Sequence, residues 1–165
     1  MNWPDSIKKE FELRVFQESY PRIEKCLSTI SNDQLWSVPN ENMVPIGCLI
    51  KHLLGNAQQW VHAGVFAQEY QRNRNAEFVP ELSLTKEDLL NEMVEVREKI
   101  SNAFELLSEA HLSRDLIIQG FETTGISAII HVIEHFSYHT GQISLLTKMY
   151  QNIDLGYYDN HDLDV

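Results

Sequence analysis

Three histidines recur every four residues in the stretch HVIEHFSYHTGQ: His131, His135 and His139. On an α-helix, steps of four keep side chains on one face, so the imidazoles climb it at about 6 Å intervals. Ile129, Ile130, Val132, Phe136, Ile143 and Leu145 make the same stretch apolar nearly all round, the pattern of an interior helix. Titratable rings placed there need something to satisfy them. A metal ion is the obvious candidate, because neutral imidazole is its commonest protein ligand. His135 and His139 form an H-x3-H pair whose rings can reach one ion, at about 2.0–2.1 Å for zinc. His131, one turn earlier, could bind in place of His139 and otherwise reads as a packing or supporting residue. Hydrogen-bonded core histidines share this spacing, so it does not by itself decide for a metal.

A third ligand must come from another helix, and His52 is the best-placed candidate. Cys48, four residues before it, makes C-x3-H a rival pair, although a small buried thiol is the simpler reading. Gln142 and Tyr138 are candidates to hold the second nitrogen of a ligating ring. His62, His111 and His161 have no paired spacing and read as surface residues. Two metal chemistries drop out. No histidine has Glu three residues before it, as a carboxylate-bridged di-iron bundle needs, and the H-E-x-x-H protease signature is absent. Gly-rich phosphate loops and nucleophile elbows are missing too. Three neutral imidazoles would leave an ion's charge uncompensated and a coordination position open, where a thiol or water can be activated as a nucleophile. A structural zinc would close its shell with a fourth protein ligand.

Four helices are needed to carry these residues. The first spans residues 5 to 30, capped by Asp5 or Ser6, with Leu13, Phe16, Tyr20, Ile23 and Leu27 as its apolar stripe and Pro21 expected to kink it. Residues 31 to 44 connect, with Leu35 and Trp36 as plugs. Pro45 fits the first position of a second helix running to about 66. Residues 67 to 84 form a long polar loop, of the kind that is functional or a crossover. Thr85 and Asp88 suggest a capping box opening a third helix to about 108. A second connector, 109 to 123, holds Leu116–Ile118 as a short extended piece, and the fourth helix runs from near Thr124 to Met149. Tyr157 and Tyr158 in the tail can dock on the bundle. The expected fold is all-α: one domain over residues 1–165, a four-helix bundle with long crossover connections.

Composition narrows the function. With 24 Asp and Glu against 13 Lys and Arg and no basic stripe, nucleic acid is a poor partner. No apolar run reaches membrane-spanning length, and MNWPDSIKKEFE lacks a secretory core, so the expected location is cytoplasmic. Two cysteines, Cys26 and Cys48, make a disulfide framework unexpected.

The strings HVIEHFSYHTGQI and IGCLIKHLLGN, with YPRIEKCLSTIS, LWSVPNE, RNRNAEF and TKMYQNIDLGYY, resemble the DinB/YfiT superfamily of metal-binding four-helix bundles, and most of all a branch of unknown function. The resemblance covers almost the whole chain. It implies left-handed crossover topology, a homodimer, and a divalent ion, zinc or nickel, on a three-histidine set that falls here on His52, His135 and His139. Characterised relatives include transferases joining a small thiol to an electrophile and an isomerase that depends on such a thiol. The chain departs from the expected small polar pair before the second helix, where it has Val44-Pro45. Arg72, Arg74 and Glu77 in the shared loop read either as lining the site mouth or as a salt-bridged structural loop. The functional expectation is a metal-dependent enzyme activating a thiol (S-transferase) or water (hydrolase). The alternative is a non-catalytic, stress-related metal-binding or dimeric interaction module.

Overall fold

In a computed structural model of the chain, which describes residues 2–159 and 162, the first apolar stripe forms a single rod with an unusual middle. Helix α1 (Trp3–Phe11) passes into a π-helical segment (Glu12–Ser19) and then α2 (Tyr20–Thr29). Asn2, rather than Asp5 or Ser6, caps it by accepting from the Asp5 backbone N–H at 3.4 Å. Pro21 explains the middle. Its ring removes one backbone donor and crowds the carbonyl a turn earlier. The widened register absorbs this: the Tyr20 N–H bonds the Val15 carbonyl, and the Ser19 hydroxyl donates to the Arg14 carbonyl at 2.8 Å. The expected kink is therefore realised as a π segment.

A capping box of Ser31 and Gln34 starts the short α3 (Asn32–Trp36). Leu35 and Trp36 are buried plugs, and the Trp36 indole N–H donates to the Leu84 carbonyl at 3.0 Å. The second rod is α4 (Ile46–Ala57) continued by a π segment (Gln58–Val65). Pro45 stands just before the first helical residue, not in the first turn, with ψ 151° and no side-chain cap. The loop over 67–84 contains a short α5 (Arg74–Glu77), and α6 (Lys86–Phe104) opens with the Thr85–Asp88 capping box. After α7 (Glu109–Ser113) the extended piece expected at Leu116–Ile118 appears, as half of a small hairpin. Strands β1 (Asp115–Ile118) and β2 (Phe121–Thr124) make an antiparallel hairpin, paired from Asp115↔Thr124 to Ile118↔Phe121. Its two-residue turn puts both Gln119 (φ 53°) and Gly120 (φ 83°) in the left-handed region that matches strand twist. Thr124 then caps α8 (Gly125–Gln151), which ends at the left-handed Asn152.

The protein is mostly helical, and α8 packs against both the first and second rods. The core is continuous, running through Phe11, Ile23, Leu53, Met93, Val132 and Phe136. The tail docks as expected: Leu155 is buried, and the Tyr157 hydroxyl bonds Ser144 Oγ at 2.7 Å. One expectation fails. Helix α8 is not interior all round, since Ile130, Tyr138, Leu145 and Met149 are exposed. Among the described residues no helix is long and apolar enough to cross a membrane.

Candidate metal centre

The second rod and α8 bring three imidazoles together. Helix α4 buries His52 beside Leu53, while α8 turns His135 and His139 toward it. The ring centroids are 4.8 Å apart for His52–His135, 5.2 Å for His52–His139 and 4.5 Å for His135–His139. One nitrogen from each lies within 4.8 Å of the others, so the group could hold a metal ion.

Two of the three rings are oriented from behind. Glu77 Oε2 accepts from His52 Nδ1 at 2.9 Å, which leaves the Nε2 lone pair facing the other two histidines. Arg72 in turn holds Glu77, with Nε 2.6 Å from Oε1 and Nη2 2.8 Å from Oε2. Burial pushes the Glu77 carboxyl up, but hydrogen bonds from His52 and Arg72 and their charges outweigh it and keep it below the ordinary carboxylate range. Gln142 Oε1 accepts from His139 Nδ1 at 2.7 Å, again freeing Nε2. A carboxylate or amide behind a ligating ring is how metal sites fix tautomer and orientation. His135 Nε2 lies 2.8 Å from His52 Nε2, so it donates across this pair and shifts its proton to Nδ1 when it serves as a ligand. Burial first, then the neighbouring imidazoles, lowers the His135 pKa to about 3, and burial likewise lowers that of His139. These two rings are therefore neutral at pH 7, as ligands to a divalent ion must be.

Glycine 55 makes room for this support. A Cβ there would run into the Glu77 carboxylate and sit 3.2 Å from Arg72 Nε. The sequence signal was an isolated glycine inside a helix, which costs about 1 kcal/mol against alanine and so needs a reason.

The histidines open onto a cavity of about 520 Å³, walled by Val44, Leu49, Phe78, Tyr138, Leu145 and Leu146 and reached by Arg74. Of the three loop residues, only Arg74 lines this space. Arg72 and Glu77 lie behind His52. Tyr138 touches His139 through its ring, at 4.8 Å, rather than by a hydrogen bond. His131 stays outside the cluster, stacked 4.1 Å from Trp60 and bonded to Asn56 Nδ2 at 3.1 Å. Cys48 is buried and free and takes no part. The surface reading of two other histidines needs correction. His62 is half-buried with its Nδ1 enclosed and unpartnered, and His111 is half-buried, bonded to Ser108 Oγ at 2.8 Å and packed on Phe66. His161 lies outside the described residues.

The bundle defines a fold class: it is the fold of DinB-like proteins. A DinB-like protein of Bacillus subtilis, YjoA, superposes with a TM-score of 0.66 at 20% identity, covering 90% of this chain and 94% of that one. A second, from Bacillus cereus, gives 0.67 at 12% identity, covering 84% and 89%. A mycothiol-dependent maleylpyruvate isomerase gives 0.63 at 18% identity, covering 83% of this chain and 60% of the isomerase. At these identities the likeness establishes the fold. Within that class, the chain belongs to the family described as protein of unknown function DUF1572, whose model matches residues 6–157. No curated protein matches the sequence.

Proposed function

We propose that the chain is a metal-dependent enzyme that activates a small thiol, for transfer to an electrophile, or water, for hydrolysis. One observation carries the reading: three imidazoles from two rods converge, two of them with the outer nitrogen bound by Glu77 or Gln142, beside a cavity with room for a small molecule. His52, His135 and His139 would hold the ion, zinc or nickel. When bound, it supplies a Lewis acid that makes a thiol or water nucleophilic near neutral pH. The chain's own residues do the rest. Arg72 and Glu77 keep the His52 proton on Nδ1, Gln142 does the same for His139, and the apolar wall limits water around the reacting groups. No carboxylate faces the cavity among the described residues, and both Glu77 oxygens are engaged, so the proton that the thiol or water gives up passes to solvent. The thiol-dependent neighbour favours the transferase branch by fold analogy only.

Metal analysis of wild type against His135→Ala and His139→Ala tests the site. Wild type should bind one equivalent and both variants far less; full loading of both would refute it. Incubation of loaded protein with small thiols and a monohalobimane or an epoxide, and with simple esters, tests the chemistry. Inertness across all of them would favour a non-catalytic module.

A further inference from the structure

The cavity beside the three histidines has one charged wall. Arg74 lines it, and among the described residues no carboxylate lies within ion-pair distance of its guanidinium. The guanidinium lies over the face of Phe78, 5.0 Å away, and Phe78 in turn lies 4.8 Å from the His52 ring. The cation, exposed to solvent, thus stands one ring from the histidine cluster, and among the described residues its donors make no hydrogen bond. Its surroundings are unusual for this chain. The protein carries 24 acidic residues, but none of those described lines this cavity. The neighbouring groove of about 720 Å³, between the first rod and α8, is the contrast: Glu10, Glu18 and Glu134 line it, and its Arg14 is already paired with the first two.

We infer that Arg74 is a specificity residue, and that the molecule taken up here is an anion, carboxylate-like in charge and geometry, with an apolar body against Leu145 and Leu146. The inference rests on the proposed function in taking the cavity for a small-molecule site. A guanidinium is suited to this task because it offers paired donors to a planar anion. Apolar walls with one placed charge are also the usual make-up of a small-molecule pocket. The loop over 67–84 therefore carries two arginines with separate tasks: Arg72 braces His52 through Glu77, and Arg74 reads the ligand.

The test titrates the full chain, metal-loaded and after chelation, with hexanoate, hexanamide and hexylamine, following backbone amide NMR shifts around the cavity. Chelated wild type is expected to bind hexanoate roughly tenfold more tightly than hexanamide, with hexylamine weakest. Arg74→Gln should erase that preference while retaining wild-type metal content, and Arg74→Lys should keep most of it. Equal affinity for acid and amide, an unchanged preference in Arg74→Gln, or no hexanoate binding at millimolar concentration overturns the assignment. The chelated arm contains no ion, so it is decided independently of the metal. A chain that never takes up metal would defeat the proposed function through the loading assay, not through this titration.

Discussion

His131 and His139 stand two turns apart on one face of α8 and face different company. Opposite His131, the second rod presents Trp60 and Asn56, so the imidazole stacks at 4.1 Å and takes one amide hydrogen bond at 3.1 Å. Opposite His139 it presents another imidazole, with Gln142 fixing the outer nitrogen. Burial lowers the pKa of both rings, so titration does not separate them. What separates them is the facing residue. Where it is an aromatic ring or an amide, the histidine is satisfied as packing. Where it is a second lone pair, two acceptors confront each other across a small gap, and a proton or a cation must lie between them.

The sharpest way to break this comparison is to remove one ring from each side. His52→Ala should lower metal affinity by more than about a hundredfold, beyond the range of supporting residues. His131→Ala should leave affinity unchanged and cost stability instead. Competition titration against a coloured chelator measures both, and comparable losses in the two variants would erase the distinction. Glu77→Gln comes next. It leaves the His52 ring in place but weakens its support and strips Arg72, whose side chain is only 4% exposed, of its carboxylate partner. Affinity is expected to fall about 10- to 100-fold, with a stability loss of about 2 kcal/mol from the poorly paired guanidinium.

The sequence and the structure agree best where one periodicity acts alone. The stripes of α4, α6 and α8 and the Thr85–Asp88 box are local signals, and so is the H-x3-H spacing of His135 and His139. The third member, His52, could be named a candidate because few histidines lie on a second apolar stripe. Its support could not be read, because Arg72 and Glu77 reach it from a polar loop that carries no period. The hairpin was half visible. Leu116–Ile118 looked extended, but the partner strand FETT has a single large apolar residue, and its turn is Gln119-Gly120 rather than Asn-Gly. The π segment in the first rod was legible as a disturbance at Pro21, though not in its form. The exposed side of α8 misled the reading: apolar residues all round a helix imply burial only if the remaining chain suffices to cover it, and here Leu145 and Met149 are 58% and 54% exposed.

Two smaller effects refine the contrast. In chelated protein His135 has a pKa of about 3, against 6.5 when unfolded. The unfolded chain therefore binds the extra proton first, so this stability is complete above pH 6.5 and falls as the pH drops toward 3. By pH 5 the loss is at most about 2 kcal/mol, reduced by solvent screening of the half-buried ring. Lowered pKa values at His131 and His139 act in the same direction. Urea midpoints should fall with pH across that window, less steeply in His135→Ala. A slope identical in the variant would mean that His135 is not the buried neutral ring described.

Gly55→Ala is the most delicate change. Alanine favours helix α4 by about 1 kcal/mol, but its Cβ would collide with the Glu77 carboxylate. That carboxylate is the far end of the buried Glu77 side chain on α5, so it can retreat, and retreat means leaving His52. The two effects oppose each other in stability, where a net change under about 1 kcal/mol is expected. They do not oppose each other at the metal, where affinity should drop about tenfold, the low end for a lost supporting contact. If Gly55→Ala binds metal as tightly as wild type, the carboxylate behind His52 is dispensable, and what distinguishes the cluster from His131 reduces to the facing imidazoles alone.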